Sequence, residues 1–170
     1  MTTIKVPASI DASGRTDVSA AMDPTRVPAV IANIPAQKVA AVGSELARRR
    51  EWVVMGGFVS VVSPAALTAS VAVLDGEQLL RIGFVLEDLT RLDEIARMVS
   101  DEKLDEMLAA AASHALWDEL DELLANLSGE ESERIAARYA QAGPDIVAAV
   151  EAAAEDGSLS TASALKLAPP

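Results

Sequence analysis

Residues 52–74 read WVVMGGFVSVVSPAALTASVAVL, 23 positions without a charge, directly after Arg48-Arg49-Arg50-Glu51. Length and flanking arginines match a membrane-spanning helix. The interior of the run argues otherwise. Ser60, Ser63, Thr68 and Ser70 interrupt it, and Val62-Ser63-Pro64 falls in its middle. Serine caps the free amides at a helix start, and proline is tolerated at the first helical position, where its missing N–H has no partner to lose. The stretch therefore reads as two short helices meeting at Ser63, and an integral membrane span is not expected.

The same punctuation recurs along the chain: an apolar residue, a capping residue or proline, acidic or small residues, then an apolar one. It is found at Ile34-Pro35-Ala36-Gln37-Lys38-Val39, at Leu74-Asp75-Gly76-Glu77-Gln78-Leu79, at Val99-Ser100-Asp101-Glu102-Lys103-Leu104 and at Leu127-Ser128-Gly129-Glu130. Acids just inside these starts complement the positive end of the helix dipole. Helices are expected over about 36–49, 52–61, 64–73, 77–87, 91–98, 101–113, 117–126, 130–141 and 145–154.

Sliding the chain by 65 positions superimposes Ile34 on Val99, Val39 on Leu104, Trp52 on Trp117, Val62 on Leu127 and Ser63 on Ser128. Both tryptophans of the chain coincide. Each unit reads as a helical hairpin that cannot bury its apolar stripe alone, so neighbours must stack. The expected fold is all-α, a short right-handed superhelix of stacked helical hairpins resembling an α-solenoid. Repeat units fall at about 34–70 and 99–135 within a helical domain of residues 31–156. Residues 1–30, rich in Ser, Thr, Asp and Pro, read as a mobile N-terminal arm, and 157–170 as a flexible C-terminal tail.

Charge is uneven. Of 26 acids and 14 bases, 15 acids and only four bases lie in residues 87–134, while the remainder is almost neutral. A net charge of −12 disfavours nucleic acid. The plain reading of the acidic block is a set of solvated helix faces; the sharper one is a docking face for a basic partner or a divalent cation. With no cysteine and one histidine, thiol chemistry and histidine-rich metal sites are excluded. His114 falls at a helix end, where the dipole favours it. No serine elbow, phosphate loop or calcium loop occurs. No catalytic residue, metal ligand or cofactor is therefore assigned, and the chain reads as non-enzymatic. No secretory leader opens the sequence, so a cytoplasmic location is expected.

Leu120-Asp121-Glu122-Leu123-Leu124, followed by Leu127-Ser128-Gly129-Glu130-Glu131, resembles the intracellular N-terminal domain of bacterial magnesium transporters, and the likeness extends over roughly residues 34–141. That resemblance implies a superhelix of short helices that regulates a channel, with acidic residues facing magnesium. The regulatory and membrane domains that follow in that family are not read in these 170 residues, so the fold is expected to carry over and the transport role is not.

The function expected is a helical-repeat protein-interaction or regulatory module, binding a protein partner or a second copy of itself. Arg48, Arg49, Arg50, Trp52, Phe58, Arg81, Phe84 and Trp117 are the partner-contacting candidates. Arg48–Arg50 close a helix and could meet an anion. Arg81, in an otherwise apolar helix, needs a carboxylate, for which Glu87 or Asp88 is expected. Gly56-Gly57 is expected to admit a close helix or a flat ligand. The alternatives are a carrier or sensor of an apolar small molecule or lipid, with a cavity near residues 52–86, and a membrane-associated scaffold using residues 52–74.

Overall fold

A computed structural model describes residues 34–168, and within them the chain is all-helical, with ten α-helices, one 3-10 turn and no strand. The expected arm at 1–30 lies outside the described residues. In chain order the helices are α1 (Ala36–Arg48), α2 (Trp52–Val59), α3 (Pro64–Val73), α4 (Gly76–Phe84), α5 (Leu92–Met98), α6 (Asp101–His114), α7 (Trp117–Asn126), α8 (Gly129–Tyr139), α9 (Pro144–Asp156) and α10 (Thr161–Leu167). The 3-10 turn Leu89–Arg91 leads into α5.

The uncharged run divides as its punctuation requires. The Ser63 hydroxyl accepts from the Ala66 amide at 3.3 Å, and Pro64 opens α3. No helix of the described residues is long and apolar enough to cross a membrane. At the next start, Asp75 accepts from the Gln78 amide at 2.9 Å, and the Gln78 side chain accepts from the Asp75 amide at 3.2 Å, closing a capping box.

Two turns 65 residues apart share one backbone geometry. Arg50 and Ala115 both take left-handed φ, 60° and 52°. The next amide returns to the carbonyl five residues back: Glu51 to Leu46 at 3.0 Å and Leu116 to Ala111 at 3.1 Å. A tryptophan then opens the following helix. This is the Schellman arrangement, which normally recruits glycine because a Cβ crowds the left-handed conformation.

Packing joins α1 to α3, α4 to α6 and α7, and α8 to α6 and α10. The main core holds Leu80, Leu120, Leu124, Leu159 and Leu167, all nearly or fully inaccessible. A smaller cluster of Val62, Ala66 and Leu67 sits apart, with Val39 and Phe58 against it. The close approach of α4 to α6 needs Gly76, where a Cβ would lie 2.3 Å from the Glu106 carbonyl carbon.

One expectation is overturned at the C-terminal end. The supposed flexible tail folds into α10, because Ser160 caps its start and Leu159 and Leu167 flank it with apolar anchors. The Lys166 ammonium then donates to the Leu124 carbonyl of α7. The isolated leucines of that segment carried too little periodicity for a seven-residue helix to be read from them.

Two substitutions test the backbone account by chemical denaturation. Ala115→Gly relieves a left-handed alanine and is expected to stabilise the fold by about 1 kcal/mol. Gly76→Ala forces α4 away from α6 and is expected to cost about 1–3 kcal/mol.

Candidate functional site

A cleft of about 1090 Å³ opens among the described helices, and its lining is almost wholly apolar. From α1 it takes Val39, Val42, Gly43 and Leu46, and from α2 Met55, Phe58 and Val59. The α3 helix adds Leu67, Ser70, Val71 and the following Leu74, and α4 adds Leu79, Ile82 and Gly83. At its deep end the cleft reaches Leu92, Leu104, Leu123 and Ile135, on α5 to α8. Its boundary includes residues of both apolar clusters, so the cleft lies where the smaller cluster and the main core fail to merge.

Several lining residues are almost inaccessible. Leu46 and Leu92 are 3% exposed, and Leu104 and Ile135 are 4% exposed. Ser70 adds no free polar group, because its hydroxyl donates to the Ala66 carbonyl at 2.8 Å. The lining therefore offers dispersion and exclusion of water, with no hydrogen-bonding group in its deep part.

Charged lining residues are confined to α1: Lys38, Glu45 and Arg48. Glu45 accepts from Arg48 at 2.7 and 2.5 Å and from Arg49 at 2.9 Å. These bonds hold its carboxyl down to about 2. Lys38 is exposed and has no carboxylate in ion-pair range among the described residues.

The walls are tied by their helix ends. Arg91 donates to the Val59 carbonyl at 2.8 Å and to the Val62 carbonyl at 3.2 Å, holding the end of α2. Glu94 orients the same guanidinium at 2.9 and 3.2 Å. Arg134 donates likewise to Ala96 and Val99 at the end of α5 and bonds Asp101 at 2.9 Å. Helix starts are tied too: the Ser128 amide donates to Asp93 at 2.9 Å and the Ser160 amide to Asp121 at 3.1 Å. Both acceptors follow a leucine in the sequence Leu-Asp-Glu, and a third such aspartate, Asp105, bonds Arg138 at 2.9 and 2.5 Å.

The structure distributes the sequence candidates. Arg48 and Phe58 line the cleft. Arg49 shares Glu45 with Arg48, and Arg50 occupies the left-handed turn. Trp52 and Trp117 are half-buried against the main core, while Phe84 is 47% exposed. Arg81 pairs with Glu77 at 2.9 Å and Glu119 at 3.4 Å, not with Glu87 or Asp88. Glu77 lies one helical turn before it, whereas Glu87 and Asp88 lie beyond the end of α4. Gly56 does not open the cleft: a Cβ there would meet the Val85 carbonyl oxygen at 2.6 Å, so it serves a helix-to-chain contact. His114, the last residue of α6, stands exposed 3.7 Å from Glu77. No group of three or more acids or histidines able to hold a metal ion occurs among the described residues.

The cleft lining outside residues 52–86 and the rim cation Lys38 were not singled out by sequence. The apolar stripe of α1 was visible, but nothing in it showed that the stripe faces space rather than a neighbour. Comparison with known protein families, curated proteins and solved structures finds no match to this chain.

The Glu45 pair gives a pH test. A carboxyl held low in the folded state contributes stability above its unfolded value, 4.5, and loses it as pH falls towards about 2. The difference in urea midpoint between the wild type and Glu45→Gln is therefore expected to shrink over that interval. A difference that stays constant between neutral pH and pH 2 contradicts the assignment.

Proposed function

We propose that this chain is a non-enzymatic binding protein whose cleft holds a single-chain aliphatic molecule. The observation that carries this reading is the 1090 Å³ cleft with its aliphatic lining. Ligand sites are concave, mostly apolar and about 300–1,000 Å³ in size, and the cleft is apolar and slightly above the top of that range. The almost wholly apolar lining favours a hydrocarbon over a polar ligand.

In this reading the scaffold is a short right-handed superhelix of stacked hairpins, supported by the shared left-handed turns before Trp52 and Trp117. The cleft takes precedence over protein docking and self-association, the first expectation from sequence. Of the large exposed apolar side chains, Val53, Val73, Phe84 and Leu165 lie on four different helices and Ile34 and Leu89 outside the α-helices, while the cleft gathers apolar side chains from eight.

The test is a titration of the full chain with Nile red, followed by displacement with dodecanol. One saturable site is expected. A side chain at Gly43 would project between Ser70 and Met55, its Cβ at 3.9 and 4.0 Å from them, so Gly43→Phe should plug the cleft without a backbone clash. Binding is expected to fall at least about tenfold in that variant, with an unchanged far-ultraviolet circular dichroism spectrum. Absence of saturable binding, or equal binding by the folded Gly43→Phe protein, overturns the reading.

A further inference from the structure

We propose that the occupant of the cleft is a long-chain carboxylic acid, with its hydrocarbon in the aliphatic slot and its carboxylate on the ammonium of Lys38. This inference rests on the cleft being a small-molecule site and adds the chemistry of the ligand's head. Every ionisable group on the lining belongs to α1, so a ligand with one polar end has only one place to put it. Of the three, Glu45 and Arg48 already satisfy each other, at 2.5 Å. Lys38 remains, one cation on the rim with no carboxylate in range among the described residues.

The helix that carries Lys38 is basic in spite of the acidic whole. Residues 36–50 carry Lys38, Arg48, Arg49 and Arg50 against Glu45 alone. The first turn of α1 contains no acid to compete for the ammonium. A lysine at an aliphatic rim also suits an amphiphile sterically. Such a side chain can lay its methylene stem along an apolar wall and keep its ammonium in water, where the head of a ligand with a buried tail would meet it. Deeper in the cleft no charged side chain is present, so a dicarboxylate or a polyhydroxylated chain would lose hydration without recompense.

Two probes of equal chain length separate the claims: dodecanoic acid and dodecanol, each titrated into the full chain at neutral pH and low ionic strength by displacement of Nile red. The acid is expected to bind about two- to fivefold more tightly than the alcohol, the scale of one exposed charge pair. Lys38→Gln should remove that preference and leave dodecanol binding unchanged, and Lys38→Arg should restore it. Added salt should weaken the acid and not the alcohol. Equal affinity of the two probes for the wild type, or a preference that survives Lys38→Gln, overturns the carboxylate assignment while leaving the cleft a small-molecule site. Failure of both probes to displace the dye overturns the reading of the cleft itself.

Discussion

Helix ends are the constraint on which the rest of this structure depends. The helices run from seven to 14 residues, too short to stand alone in water, and each terminus leaves backbone groups without intrahelical partners. Side chains from later in the sequence answer several of these needs. Arg91 holds the carbonyls ending α2, Arg134 those ending α5, and Lys166 reaches Leu124 of α7. Asp93 and Asp121 accept from the cap amides that begin α8 and α10. A bond to a helix end fixes position as well as satisfying an orphan group, so these contacts set where one short helix stands relative to another.

That arrangement gives the acidic block a structural use. Asp93, Asp101, Asp105, Glu119 and Asp121 are each engaged by a group on another element. The rest of the block faces outward in large part, as with Glu87, Glu102, Asp118 and Glu133. The carboxylates are spread over several helices and answer separate partners, which is why no three of them converge on a metal-sized space.

The cleft follows from the same economy of contact. Arg91 anchors Val59 and Val62, and both residues also line the cleft. Polar bonds at the outer ends of the walls hold them in place without requiring that aliphatic side chains meet between them. Alanine-rich helices with few aromatics supply little volume to close such a gap, so a small apolar cluster is left beside the main core.

The amino-acid sequence by itself determined the local architecture. Ser63-Pro64 broke the uncharged run, Asp75 with Gln78 started α4, and the tryptophan-bearing turns recurred 65 residues apart. These features are legible because capping, proline geometry and the Schellman turn act within about six residues. Tertiary structure decided what lies further apart. It turned the stripe of α1 toward a cleft, gave Arg81 to Glu77 and Glu119, placed Gly56 against Val85, and docked α10 through Leu159 and Leu167. Each outcome depends on side chains brought together from distant positions. Local propensity states which face of a helix is apolar, but only the packed chain shows whether that face meets another helix or an open space.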